Sequence, residues 1–384
     1  MQTPDRYWDI FCRVVDNYGD IGVCWRLAQQ LAQDYALPIR LWVDDLVSFA
    51  HIECRVQSHL PKQTVDGITI YHWVLEPESL TPGEVVIEAF ACGLSDAFLQ
   101  AMARCQPPPQ WINLEYLSAE AWVEGCHLSQ SQHPRLPLQQ TFFFPGFSSN
   151  TGGVLGSDAS LRARDDFLAD ALQQADFWQQ LGLSAPAVDE LTISVFTYEP
   201  PALVSWLQVL EHSPQPVRLL IPNDRTARMV AAYYEHPFTA GACLQRGKLT
   251  LHNLAFGNQA FFDRLLWSCD INFVRGEDSF VRAQWAAKPF FWHIYPTEDG
   301  AHWQKLEAFW QGYSASLPAD LQQLGWSNWH WLNADVVPEV GQLAMQWQTW
   351  LDYLPQWQRH ARDWQRQLSQ HGHLAANLVR WVRR

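Results

Sequence analysis

Charge, paired cysteines and long apolar runs are what this chain of 384 residues has little of. Only 17% of the residues are charged against 48% hydrophobic, and the 20 glycines and 23 prolines are dispersed, which excludes a disordered, collagenous or low-complexity protein. No apolar run approaches the roughly 18 residues of a membrane span, because stretches such as 85–94 are interrupted. The opening residues, among them Asp5, Arg6, Trp8 and Asp9, lack the apolar core of a signal peptide. A soluble, globular, cytoplasmic protein with no membrane partner is the expectation.

Basic residues are also scarce: 26 Lys and Arg against 40 Asp and Glu give a net charge of −14. A nucleic-acid binder needs a basic surface, so nucleic acid is not an expected partner, whereas a basic protein would suit the acidic field. The eight cysteines (12, 24, 54, 92, 105, 126, 243 and 269) form no Cys-x-x-Cys pair and no cluster with histidine. Neither a zinc site nor a disulfide scaffold follows, and reduced, mostly buried thiols are expected. There is no GxGxxG fingerprint, no GxxxxGK[ST] loop and no repeat of 20–50 residues, which argues against a dehydrogenase, a P-loop NTPase and a solenoid.

What is abundant is tryptophan, with 21 residues. Trp326, Trp329, Trp331, Trp347, Trp350, Trp357 and Trp364 recur late in the chain at helical spacing, which reads as core or an inter-helix seam rather than a ligand box.

Length predicts two domains, and periodicity places them. Strand patterns at 9–15, 39–43, 68–74, 85–89 and 111–114 alternate with helical ones at 21–35 and 95–104. The pattern lapses over 127–156, with Pro134, Pro137, Pro145, the run 141–144, Gly152, Gly153 and Gly156, the best boundary in the sequence. A helix capped by Ser157 or Asp158 then runs to about residue 183. Strands at 191–198, 217–222, 248–254, 270–274 and 290–294 follow, with helices at 202–212, 224–235, 258–268, 278–287 and 301–313 between and after them. The expected fold is α/β: two Rossmann-like doubly wound domains, 1–155 and 156–354, facing a cleft, with a helical segment 355–384 packing back on the first domain. Such a pair suits an enzyme that holds a nucleotide-linked group in one domain and an acceptor in the other.

Two constellations carry chemistry. The first βα junction reads Asp16-Asn17-Tyr18-Gly19-Asp20-Ile21-Gly22, at the sheet edge where ligands bind. A helix start favours an ionised Asp20, suited to a general base or the partner of a cationic acceptor. The plainer alternative makes Asp20 an N-cap and Asp16 an Asx-turn residue. The second constellation, Arg275-Gly276-Glu277-Asp278-Ser279, follows a strand and opens a helix, a ready anion site with a bidentate donor beside it. A diphosphate fits there, with Glu277 able to accept from a sugar or ribose hydroxyl, while Asp278 and Ser279 are alternatively mere caps. Phe196, Tyr198, Phe256 and Gln259 end or follow neighbouring strands, and aromatics plus an amide can sandwich a pyrimidine, although core packing also accounts for Phe196.

With these residues placed, the chain resembles the EarP family of elongation factor P arginine rhamnosyltransferases over essentially its whole length. The resemblance is carried by residues 15–28, which contain Asn17-Tyr18-Gly19-Asp20, by 273–285, which contain Arg275-Gly276-Glu277-Asp278-Ser279, and by 289–296, Pro289-Phe290-Phe291-Trp292-His293-Ile294-Tyr295-Pro296. It implies a GT-B fold and inverting, metal-independent and cofactor-free transfer of L-rhamnose from dTDP-β-L-rhamnose to one arginine of elongation factor P. It also implies that Asp20 and Asp16 serve the acceptor in the first domain, either being the base. Arg275, Glu277, Asp278 and Ser279 would hold the donor, with Phe196, Tyr198, Phe256 and Gln259 around the thymidine, Asn17, Tyr18 and Gly19 contributing, and Glu277 joining the two aspartates in catalysis. The alternatives are a GT-B enzyme with a small-molecule or lipid acceptor, and a non-catalytic adaptor docking through its tryptophan-rich end.

Overall fold

The computed structural model describes residues 4–15, 18–73 and 81–384, which fall into two compact units, Met1–Ser157 with Leu368–Arg384, and Asp158–Gln367. The first unit contains β1 (Asp5–Cys12), β2 (Ile39–Val43), β3 (Lys62–Val65), β4 (Ile68–His72), β5 (Gly83–Ala89), β6 (Gln110–Leu114), β7 (Gln130–Gln132) and β8 (Gln139–Phe143). Among the described residues they form one sheet of order β3-β4-β2-β1-β5-β6-β8-β7. The inner strands run parallel in doubly wound order, and β3 and β7 close the edges antiparallel.

A parallel strand covered on both faces reads as a continuous apolar run, and β2 (Ile-Arg-Leu-Trp-Val) is buried throughout. Its one charge, Arg40, meets Asp9 of β1 through Nε at 2.6 Å and Nη2 at 2.8 Å. Asp9 also accepts from the Trp42 indole at 3.0 Å and from the Gly83 amide at 2.7 Å. A buried ion pair offsets its desolvation only when such further bonds are made, and this one ties β1, β2 and β5 together.

The edges differ from the sequence expectation. β3 joins β4 through Asp66 and Gly67, at φ 50° and 78°, as a two-residue hairpin turn requires. Residues 127–156, read as a boundary, carry β7 and β8, and the second unit begins at Asp158. The terminal segment 355–384 does not stay together. Residues up to 367 belong to the second unit, whereas the helix Leu374–Val382 packs in the first. There the Leu374 amide donates to the Val154 carbonyl at 3.0 Å, and Asn377 Nδ2 to the Gly152 carbonyl at 3.1 Å. The chains approach so closely that a Cβ on Gly153, at φ 78°, would stand 2.5 Å from the Gly372 carbonyl oxygen.

The second unit contains β9 (Leu191–Val195), β10 (Val217–Pro222), β11 (Cys243–Arg246), β12 (Leu249–Leu254), β13 (Ile271–Arg275) and β14 (Phe290–His293), in the order β11-β12-β10-β9-β13-β14. All pairings are parallel except β11 with β12, again the doubly wound order with an added edge. The expected helix to about residue 183 is instead two, Asp158–Ala169 and Ala171–Gln180, because Asp170 accepts from the Leu172 and Gln173 amides at 2.9 and 3.1 Å and caps the second. The tryptophan run is core. Trp329, Trp331, Trp347, Trp350, Trp357 and Trp364 are buried and Trp326 is half-buried. The rings of Trp347, Trp350 and Trp357 stack in succession at 5.5 and 5.6 Å. The docking face that an adaptor would need is therefore spent inside the second unit.

Candidate active site

In a doubly wound sheet the ligand crevice lies outside the carboxyl ends of the strands where the order reverses, between β1 and β5 in the first unit and between β9 and β13 in the second. Asp20 stands at the first of these places. It lies in the first turn of the helix Gly19–Tyr35, not at its cap. The cap position is Tyr18, which makes no side-chain cap bond. The Asp20 carboxylate is 2% exposed and accepts from the Val15 amide at 2.8 Å through Oδ2 and from the Tyr116 hydroxyl at 3.0 Å through Oδ1. Gly19 opens this helix and the Tyr18 ring lies 5.9 Å from that of His51. Asp16 and Asn17 lie outside the described residues. Tyr116, two residues past β6, was missed in the sequence; its ring stacks at 4.1 Å on Phe90, which follows β5.

In the second unit, Arg275 ends β13 and is buried. Its Nη1 donates to the Thr197 carbonyl at 2.8 Å and stands 3.1 Å from Asp224 Oδ2. The guanidinium carbon lies 4.1 Å from the Phe196 ring centre and 5.1 Å from that of Tyr198. Phe256 stands 6.4 Å from Phe196, and Gln259 Nε2 donates to Asp278 Oδ2 at 3.3 Å. Glu277 takes the cap position of the helix Asp278–Trp285 without a side-chain cap bond. The Ser279 hydroxyl accepts from the Arg275 amide at 3.0 Å and donates to the Arg275 carbonyl, so it closes the turn that presents Arg275. The structure thus brings Phe196, Tyr198, Phe256 and Arg275 together, and Gln259 with Asp278.

Two residues here were not singled out from the sequence. Asp224, capping the helix Arg225–Tyr233, faces Arg275; burial pushes its carboxyl up and the guanidinium opposes this. His293 ends β14 opposite Arg275 in register, with its ring 5.4 Å from Tyr198. Its Nδ1 is buried without a hydrogen-bond partner, and burial beside Arg275 pushes the imidazole down to about 3. Asp224 carries the signal of an acid closing a strand end, and His293 lies within the motif 289–296.

Among the described residues no helix is long and apolar enough to cross a membrane, and no three His, Cys, Asp or Glu side chains gather as metal ligands. Cys12, Cys24, Cys92, Cys105 and Cys269 are buried and all eight thiols are free.

Two doubly wound units, each with polar and aromatic side chains gathered at the carboxyl ends of its strands, are the domains of the GT-B fold. The fold is shared with UDP-GlcNAc 2-epimerase from Neisseria meningitidis, at 9% identity, TM-score 0.56 and coverage of 98% of this chain and 99% of that one, a likeness of fold alone. The chain belongs to the EarP family, elongation-factor P (EF-P) rhamnosyltransferases, whose family model matches residues 8–383. It is 45% identical over 377 residues to a protein-arginine rhamnosyltransferase of Pseudomonas putida, covering 98% of each chain. It is also similar to a solved structure described as the structural basis for EarP-mediated arginine glycosylation of translation elongation factor EF-P. That likeness has 33% identity, TM-score 0.70 and 98% of both chains covered.

Proposed function

We propose that this enzyme moves L-rhamnose from dTDP-β-L-rhamnose to an arginine side chain of elongation factor P, with inversion and without a metal or other cofactor, activating that factor in the cytoplasm. The reading is carried by the Asp20 carboxylate, held by two donors at the switch point of the first unit. A guanidinium is a weak nucleophile because its lone pairs are delocalised into the cation. Asp20 orients one nitrogen and takes its proton as the nitrogen–carbon bond forms, with Asp16 orienting the rest of the group. The bond from the anomeric carbon to the diphosphate oxygen breaks in the same step, and dTDP leaves with the electron pair. One in-line displacement inverts the anomeric centre.

Arg275 and the amides at Asp278 and Ser279 receive the negative charge that develops on the diphosphate, which is the work a divalent metal does elsewhere. Phe196, Tyr198, Phe256 and Gln259 enclose the thymidine, Glu277 accepts from the sugar, and the turn Asn17-Tyr18-Gly19 borders the donor. The net charge of −14 suits a basic face on the protein acceptor.

The test is intact mass spectrometry of elongation factor P after incubation with this enzyme, dTDP-β-L-rhamnose and EDTA, with Asp20→Asn as control. A gain of one deoxyhexose, absent in the control, is the expected result. No gain, with dTDP-β-L-rhamnose still bound in calorimetry, would overturn the acceptor; a gain that EDTA abolishes would overturn metal independence.

A further inference from the structure

Tyr116, which meets Asp20, and Phe90, which meets Tyr116, have no part in the steps above. Tyr116 reaches from the loop after β6, 96 residues away in sequence, to donate its hydroxyl to Asp20 Oδ1 at 3.0 Å. The Val15 amide holds the other oxygen, so the carboxylate plane is set from two sides. The Tyr116 ring lies nearly parallel to Phe90, at an interplanar angle of 10°, yet the residue is 40% exposed. Phe90 covers one face and solvent reaches the residue beyond it.

The backbone beneath is unusual in the way functional sites are. Phe90 and Ala91 are consecutive non-glycine residues in the left-handed region, at φ 58° and 50°, a conformation disfavoured for residues with a Cβ. They are held there by the Phe90 amide donating to the Leu114 carbonyl at 2.7 Å and the Ala91 amide to Asn113 Oδ1 at 3.0 Å. Both restraints come from the end of β6, the element that leads into Tyr116. The loop after β5 is thereby fixed so that Phe90 backs the Tyr116 ring at the switch point.

A guanidinium is planar, weakly hydrated and attracted to aromatic faces. One lying on Tyr116 comes within reach of the carboxylate that the same ring's hydroxyl holds. We propose that Tyr116 is a positioning residue for Asp20 through its hydroxyl and, backed by Phe90, the surface on which the acceptor guanidinium lies; this rests on the reading of Asp20 as the base. The two roles separate experimentally, since Tyr116→Phe removes the donor and keeps the stack, whereas Tyr116→Leu removes both.

The experiment is steady-state rhamnosylation of elongation factor P by the full chain and its Tyr116→Phe, Tyr116→Leu, Phe90→Leu and Asp20→Asn variants, with dTDP binding by calorimetry as the reporter of an intact second unit. For Tyr116→Phe, kcat is expected to fall about 10–100-fold with acceptor KM held within about threefold. For Tyr116→Leu the acceptor KM also rises, by about 3–30-fold. Phe90→Leu raises KM in the same direction and answers the stacking question if Tyr116→Leu does not fold. The dTDP affinity is unchanged throughout. Wild-type kcat in Tyr116→Phe, with Asp20→Asn inactive, would overturn the positioning role alone. Wild-type KM in the folded leucine variants would overturn the stacking surface. Wild-type turnover in Asp20→Asn would instead overturn the base on which the inference stands.

Discussion

Arg275 is clamped against Phe196, its guanidinium carbon 4.1 Å from the ring centre while Nη1 is held by the Thr197 carbonyl and faces Asp224. Three loop ends, after β9, β10 and β13, converge on one cation, so its place is set before any ligand arrives. An ammonium can donate to the same two oxygens, but it has no plane to lie on the Phe196 ring and no second terminal nitrogen to offer a ligand. Arg275→Lys is therefore not conservative. We expect dTDP affinity to fall about 10–100-fold, the loss of a charge-assisted hydrogen bond, measured by calorimetry. Wild-type affinity in a folded Arg275→Lys protein would remove Arg275 from the donor site.

Asp20→Asn preserves size and keeps one acceptor oxygen for the Val15 amide, while its NH2 can donate to the Tyr116 hydroxyl, which then turns from donor to acceptor. What it removes is the proton acceptor. Turnover should drop by about 10²–10⁴, the usual contribution of a positioned base, with the melting temperature and dTDP affinity near wild type. A single-turnover assay checks the chemical step directly, and an unchanged rate would assign the base elsewhere.

Legibility in the sequence tracked burial and sequence distance. The parallel strands 39–43 and 217–222 were legible because both faces are covered and every position is apolar or paired. Edge strands were not. β3, β7 and β11 are only three or four residues long and mostly exposed, so no apolar run marks them, although Asp66-Gly67 is a hairpin signal. The site shows the same division. Arg275 to Ser279 are neighbours in sequence and could be read as one motif. Tyr116, Asp224 and His293 act on residues that only the strand order brings near, and no local pattern distinguishes a tyrosine that will meet Asp20 from one that will not.

His293 is expected to make the protein acid-sensitive. Burial next to Arg275 pushes its imidazole from 6.5 to about 3, and His127 is pushed by burial to about 4. Between these values and 6.5 the unfolded chain binds protons that the folded chain refuses. The stability these groups allow is full above pH 6.5 and is lost as the pH falls towards 3. His293 contributes a slope of up to about 1.4 kcal/mol per pH unit, and the half-buried His127, screened by solvent, contributes less. Urea midpoints should decline from pH 6.5 to 4, less steeply in His293→Gln. An identical decline in that variant would show that His293 is not a source of it.

Gly325 tests the tryptophan core. It sits inside the helix Ala319–Asn333, where alanine normally stabilises by about 1 kcal/mol over glycine. Here a Cβ would stand 2.3 Å from Trp310 Cη2, closer than real Cβ atoms come, and 3.0 Å from Trp357 Cη2, tighter than most. Overpacking of this kind costs about 1–3 kcal/mol, so the steric term outweighs the propensity and Gly325→Ala should lower the melting temperature by several degrees. Gly312, in the helix Ala301–Ser314, has nothing within 4 Å of its would-be Cβ, and Gly312→Ala should raise stability instead. Opposite shifts in calorimetry would locate the difference in the Trp310 ring. Equal shifts would mean that the ring moves aside at little cost, and that the stacked tryptophans are looser than their spacing indicates.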